Sequence, residues 1–562
     1  MRLLRRVWTV ALAWPIVVVL GSGGAGTACT DIEYVYDTTE IRLPLFNQPA
    51  DTLNGFLGYY NVDDGQTTCG NCHRQKQAAW SQTRHAGAFA SLGTNPQDFC
   101  KACHTTNQKG NAVVDAAGFT LTADPSYRDV QCETCHGPGL NHLQGPGLAQ
   151  PLASVALDTA LNAGTNGCGE CHSGPDYPFV EEWAVSKHGF GGSTYSSFYN
   201  RDPCKNCHEG REALRVNFEG FNPRLTGQAG GPLGVYLEAG TPAAAQPTAF
   251  CAVCHDPHDA KHEGQLRAPL GEPTEEQLCV HCHRREGEPE PGITTRRGPH
   301  GAQGLVVIDE EVGWHPPTWP YQGQVRSSHA TANPRQCASC HVLAYEGKDG
   351  QGKRVVSTGH TFEPIPCISA ATGLPSGATD CDLTARYFEG CAVSGCHGSA
   401  DAARTAYQVV QQRMDLLTDL LWTDTDNDSV METTDGGLLP KVLAQAIAAN
   451  NLNEINLYDN VSSLTPAEGA IWNAQLASTH NRGRWRRFTV SGQKSCTPSA
   501  TCTTQNGSNT AHPSSGSGVH NPFLLEALLI SSIQYLQTYY SLSAPPAALA
   551  PQLAPPPGLR LH

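Results

Sequence analysis

Cys69-Gly-Asn-Cys72-His73 is the first of eight strict Cys-x-x-Cys-His strings, and its reading decides what the chain can fold around. The others are Cys100/Cys103/His104, Cys132/Cys135/His136, Cys168/Cys171/His172, Cys204/Cys207/His208, Cys251/Cys254/His255, Cys279/Cys282/His283 and Cys337/Cys340/His341. Two cysteines separated by two residues reach the two vinyl groups of one haem, and the adjacent histidine lies against its iron. A zinc site would need paired Cys-x-x-Cys units and would not demand His after each second Cys. A thioredoxin-like site would need one motif in a βαβ setting. The spacing therefore predicts covalent haem c. A ninth string, Cys391-Ala-Val-Ser-Gly-Cys396-His397, has four intervening residues. It is read as a ninth haem site, the alternative being a disulfide involving Cys391 and Cys396.

Composition agrees with a cofactor-filled interior. Of 562 residues, 39% are hydrophobic and 7% aromatic, while Gly (57) and Pro (39) make up about a sixth of the chain. Such a chain is too loop-rich for three ordinary cores, yet a net charge of -15 is modest for its length. No Lys/Arg-rich patch occurs, which disfavours nucleic acid as a partner. Motif starts fall 28 to 58 residues apart, close enough to bring neighbouring haems into contact. The expectation is a mostly α and loop fold with little β-sheet.

The sixth iron ligand is expected to be histidine. Past the first residue only Met414 and Met431 are methionines, and neither lies near a motif, so methionine ligation is disfavoured. Fourteen of the 23 histidines are not in the proximal position. Trp80-Ser-Gln-Thr-Arg-His85 and Trp183-Ala-Val-Ser-Lys-His188 share one spacing and each precedes another motif, as in an internal repeat. His142 and His258 follow the third and sixth motifs by six and three residues. His300, His329 and His360 stand in Gly/Ser/Pro settings. With His520 these make eight distal candidates. The ninth comes from His480, His315, His262 or His512, with His480 preferred because it follows a predicted helix over 467–478. His281, inside the seventh motif, and His562, at the chain end, are surplus.

Trp-x4-His after a motif, Cys132-Glu-Thr-Cys-His-Gly-Pro-Gly-Leu-Asn-His142 and Cys251-Ala-Val-Cys-His-Asp-Pro-His258 resemble a bacterial multihaem cytochrome c superfamily. It includes the tetrahaem cytochrome of ammonia oxidisers, pentahaem nitrite reductase and octahaem hydroxylamine oxidoreductase. Ser517-Gly-Val-His520-Asn-Pro-Phe is similar to its C-terminal element, in which a His before a long helix reaches back to an early haem. The resemblance covers roughly 67–400 and 515–540, and implies closely stacked haem pairs and electron transfer. It does not carry catalysis across: every motif here ends in His, where the nitrite reductases use Lys at the active haem. Nor do Tyr535, Tyr539 and Tyr540 identify the tyrosine crosslink of hydroxylamine oxidoreductase.

The flanks complete the organisation. Met1-Arg-Leu-Leu-Arg-Arg6 and the apolar run from Val7 to Leu20 read as a secretory signal over 1–28. Gly26-Thr-Ala28-Cys29 resembles a lipobox, so Cys29 is either a lipidation site or the residue after an ordinary cleavage. An exported chain makes two local disulfides the natural reading of Cys367, Cys381, Cys496 and Cys502. Residues 29–66 form an N-terminal extension, 67–400 the nonahaem domain, 401–543 a helical lobe and 544–562 a Pro/Ala-rich tail. Within the lobe, helices are expected over 402–421, 437–449 and 467–478, with Asn521 and Pro522 opening a terminal helix and a loop from Cys496 to Ser517. Asp424, Asp426, Asp428, Val430 (by its carbonyl), Glu432 and Asp435 follow an EF-hand-type calcium loop. Ser429 replaces its turn glycine and Asp its final Glu, and a solvated acidic turn is the alternative.

Two functions follow. One is an exported periplasmic or cell-surface conduit, tethered or free, passing electrons between redox partner proteins or to an extracellular acceptor; oligomers or filaments would be a variant. The other is a reductase or oxidase of nitrite, hydroxylamine or tetrathionate at one haem with an open sixth site. A ninth distal histidine separates them.

Overall fold

The computed structural model describes residues 49–110, 118–145, 167–189, 204–218, 249–289, 298–308, 312–321, 325–457, 463–479, 484–491, 494–496, 502–504, 507–510 and 518–543, apart from single positions within them, plus residues 153 and 553. The expected leader, Cys29, His480, His512, His562 and nearly all of the 544–562 tail lie outside them.

Up to residue 400 the described chain is short helices, turns and two small hairpins, Tyr59–Asn61 (β1) with Gln66–Thr67 (β2) and Tyr345–Lys348 (β3) with Arg354–Ser357 (β4). The motifs themselves nucleate much of this regularity. In six of them the histidine N–H donates to the carbonyl of the first cysteine: His73 to Cys69, His172 to Cys168, His208 to Cys204, His255 to Cys251, His283 to Cys279 and, across the longer insert, His397 to Cys391. One tight turn thus sets both sulfurs and the imidazole on one side. Between the third and fifth motifs, the helix Phe179–Val185 (α1) buries Val180, Glu182 and Trp183. It contributes to a small apolar cluster of Trp183, Ala213, Leu214, Phe250, Ala252 and Val253.

The large apolar core lies elsewhere. Ala400–Leu421 (α2), Leu439–Ala448 (α3), Pro466–Ala477 (α4) and Pro522–Tyr539 (α5) form the C-terminal lobe. Ser399 caps α2 through its side chain, Thr465 and Glu468 make a reciprocal capping box on α4, and Asn521 accepts from Leu524 N–H ahead of Pro522 at the start of α5. Residues 467–477 of α4 are buried all round, so this helix runs through the lobe's centre. Leu525, Leu528, Leu529, Ile533 and Leu536 of α5 are fully buried beside it. Close approach needs glycine at Gly469, where a Cβ would come within 2.0 Å of the Trp314 ring. The core also takes in Val280, Val306 and Ile308, so it begins before the ninth motif and the lobe is not confined to 401–543.

The lobe carries more strand than a helical reading predicts. Val430–Met431 (β5) pairs parallel with Arg487–Val490 (β6), which pairs antiparallel with Gly507–Thr510 (β9); Lys494–Cys496 (β7) pairs with Cys502–Thr504 (β8). The expected Cys496–Ser517 loop is therefore partly a hairpin, because its Thr residues favour extended backbone. Its register sets Cys496 opposite Cys502. Among the described residues no helix is long and apolar enough to cross a membrane.

Candidate metal centres

Each motif histidine but one faces the ring of a second histidine. Ring centres lie 6.4 Å apart for His73/His142, 6.2 Å for His172/His85, 6.1 Å for His136/His258 and 6.1 Å for His208/His300. The others are His255/His360 at 6.5 Å, His283/His188 at 6.1 Å, His341/His520 at 6.2 Å and His397/His329 at 6.3 Å. Two imidazoles bound on opposite sides of one metal at about 2 Å each place their ring centres roughly 6 Å apart. The arrangement fits eight irons, each held by two histidines. The ninth motif shows the same pairing as seven of the strict eight.

His104 of the second motif has no such partner among the described residues. Its Nδ1 lies 2.7 Å from the Ala88 carbonyl and 3.3 Å from Ser91 Oγ. His315, a ninth-ligand candidate, stacks on Trp319 at 4.5 Å, and the surplus His281 lies 5.0 Å from Phe218. His480, the preferred ninth ligand, falls outside the described residues, as does His512. His520 does not reach an early motif; it meets His341 of the eighth.

The remaining atoms suit metal-bound imidazole. Burial lowers His85 and His360 to about 4 and His188 to about 3, which keeps them neutral, the form that ligates. Nδ1 groups meet backbone acceptors at 2.7 Å (His255, Gly264 carbonyl), 2.8 Å (His341, Phe362 carbonyl) and 3.1 Å (His329, Val519 carbonyl). Such bonds leave Nε2 for the iron and fix the ring plane. All eighteen motif cysteines are free of disulfides. Burial pushes the Cys135 and Cys254 thiols up to about 12.

Sulfurs of different motifs meet: Cys69 with Cys132, Cys103 with Cys171, Cys168 with Cys251, Cys207 with Cys282 and Cys279 with Cys337. Cys135 is within electrostatic reach of Cys168, Cys254 of Cys279 and Cys340 of Cys391. Numbered in chain order, the motifs run 1–3–4–6–7–8–9, with 2 beside 4 and 5 beside 7. A three-motif repeat underlies this path. Trp80 Nε1 donates to the Val130 carbonyl (3.1 Å), and Val130 N–H to the His85 carbonyl (3.1 Å). Trp183 Nε1 donates likewise to the Ala249 carbonyl (2.6 Å), and Ala249 N–H to the His188 carbonyl (3.3 Å). Val130 and Ala249 each stand two residues before a motif, and His85 and His188 each serve the motif three places on.

Two buried carboxylates hold ligand segments together, and spacing gave no sign of them. Glu182 on α1 accepts from Thr358 N–H (2.9 and 3.1 Å), Thr358 Oγ1 (2.7 Å) and His360 N–H (2.8 Å), 176 to 178 residues away. Glu133, inside the third motif, accepts from the N–H groups of Leu57, Gly58 and Gly139. The Cys367 and Cys381 sulfurs are bonded at 2.04 Å.

The acidic loop is assembled only in part. Carboxylate oxygens of Asp424, Asp426 and Asp428 all lie within 4.8 Å of one another. Asp435 and Glu432 are not in that group. Asp435 is turned to Thr425 and Trp422 because four donors there saturate its carboxylate.

Comparison with known proteins agrees with the motif geometry. Residues 68–137 match the family described as cytochrome c554 and c-prime, and residues 241–288 that of the doubled CXXCH motif. Cytochrome c-554 of Nitrosomonas europaea is 31% identical over 98 residues, which cover 14% of this chain and 39% of that protein. The chain thus spans about two fifths of the curated relative it matches. No solved structure matches significantly.

Proposed function

We propose that this chain, a multihaem c-type cytochrome, is an exported electron carrier holding nine haems, eight of them between two of the described histidines and the ninth between His104 and a histidine outside the described residues, His480 or His512. Bound haem supplies reversible one-electron exchange; the chain's own residues position and tune it. Bis-histidine ligation favours low-spin iron at low potential. The observation that carries the reading is the set of eight histidine ring pairs at 6.1 to 6.5 Å. The meeting sulfurs support it further, since adjacent motifs make an unbroken path for electrons. Redox proteins or an extracellular acceptor are the partners this suits, at the periplasm or the cell surface, with Cys29 as the candidate lipid tether. The reading extends to one divalent cation in the acidic loop of the C-terminal lobe.

His104 favours a second reading: an open iron at the second motif reducing or oxidising nitrite, hydroxylamine or tetrathionate. Haem counting by intact mass together with electron paramagnetic resonance tests both. Nine haems with nine low-spin signals are expected of the carrier. Fewer haems would overturn the nine-haem count, and a high-spin signal would overturn the carrier-only reading in favour of the open iron. Turnover of one of those compounds would favour the enzyme over a carrier alone.

A further inference from the structure

We propose that the loop after α2 binds one calcium ion through Asp424, Asp426, Asp428 and the Val430 carbonyl, while Asp435 stands outside the ligand set as a strut to Trp422. This rests on the divalent-cation reading above and names its ligands and its effect.

Three carboxylates gathered within 4.8 Å repel one another unless a cation lies between them. None of the three forms an ion pair with a basic side chain among the described residues. Asp426 and Asp428 are exposed, but Asp424 is 9% exposed. Its Oδ2 accepts from Ser429 N–H at 3.0 Å, whereas its Oδ1 is buried and has no hydrogen-bond partner. A buried carboxylate oxygen left without a donor is costly, and a cation satisfies it. The donors are all oxygen, which selects a hard cation. Exposure of Asp426 and Asp428 leaves room for water to complete the larger, more flexible shell of calcium over the strict octahedron of magnesium.

The strand supplies the main-chain ligand. The Ser429 carbonyl accepts from Thr489 N–H and the Met431 carbonyl from Ser491 N–H, both at 3.0 Å. Carbonyls alternate along a strand, so that of Val430 faces away from β6.

Asp435 occupies the final loop position yet does other work. One carboxylate oxygen takes Thr425 N–H (3.1 Å) and Oγ1 (2.8 Å); the other takes Trp422 Nε1 (2.9 Å) and Glu432 N–H (3.1 Å). Four donors fill the acceptor capacity of a carboxylate. Trp422 is fully buried against Trp485 and Phe488, at 5.3 and 5.1 Å between ring centres. An ion closing residues 424–430 therefore fixes β5 on β6 and holds both ends of the loop against this aromatic cluster.

Isothermal titration of chelator-stripped, haem-loaded protein with calcium chloride tests the site, with hydrogen exchange of the same samples. One equivalent of calcium should bind at least tenfold more tightly than magnesium, protecting amides only in 422–436 and 484–491. Asp424→Asn and Asp428→Asn should each weaken binding at least tenfold. Asp435→Asn should weaken it less than threefold while speeding exchange at Thr425 and Glu432. No heat and no protection in the wild-type protein would overturn the cation reading itself. Binding with Asp435→Asn as damaging as Asp424→Asn would overturn the ligand set alone. Should a variant fail to fold, the wild-type calcium–magnesium comparison and its protection map still decide.

Discussion

Glu182→Gln isolates what a buried carboxylate does for a distal histidine. Glu182 is 8% exposed and receives three donors from the segment that carries His360. Glutamine keeps one carbonyl oxygen. Placed where Oε2 now lies, that oxygen can still meet Thr358 Oγ1 and His360 N–H. Its amide then faces Thr358 N–H across the 2.9 Å contact now made by Oε1, donor against donor. The retained oxygen also keeps the 3.1 Å half of the Thr358 N–H contact, so all three bonds fall to neutral strength, from about 1.5–3 kcal/mol for a charged bond to half that for a neutral one. Local opening of the Thr358–His360 segment should become easier by roughly 2–4 kcal/mol, or about 30- to 1000-fold faster exchange at the Thr358 and His360 amides. Haem attachment should be unchanged, because the thioethers at Cys251 and Cys254 do not depend on Glu182. Exchange within threefold of wild type would refute the argument.

Other outcomes follow from the same geometry. His85→Ala and His188→Ala should each turn one low-spin haem high-spin without loss of haem by mass, whereas His315→Ala should leave the resonance spectrum unchanged. Burial raises the Asp435 carboxyl, but the hydrogen bonds from Trp422, Thr425 and Glu432 outweigh it and hold the group below its usual 3.8. Its stabilisation is complete above that value and drains as pH falls through the lower folded one, so the gap in unfolding midpoint between wild type and Asp435→Asn should shrink as the pH is taken below 3.8. Replacing both Cys367 and Cys381 by Ser, which opens a loop of 14 residues, should cost about 3 kcal/mol in denaturant unfolding.

The nine motifs, their proximal histidines and the helices of the C-terminal lobe are legible in the sequence because each rests on residues within a few positions of one another. The eight histidines singled out as distal candidates all face a motif histidine in the fold, yet the sequence could not say which. His258 stands three residues from His255 and meets His136, 122 residues away. His520 crosses 179 residues to His341, where resemblance implied an early haem. Asp435 fits a ligand by position, and only the fold shows its carboxylate accepting from the indole of Trp422. Glu182 had no local signature at all.

A haem-attachment motif is a property of a few consecutive residues, so the sequence by itself determines that this chain is a multihaem c-type cytochrome and which imidazole follows each pair of cysteines. Ligation from the other side and adjacency between motifs depend on segments far apart in the chain. Which histidine faces which motif histidine, and that His104 is the one left without a partner among the described residues, is decided only by the tertiary structure.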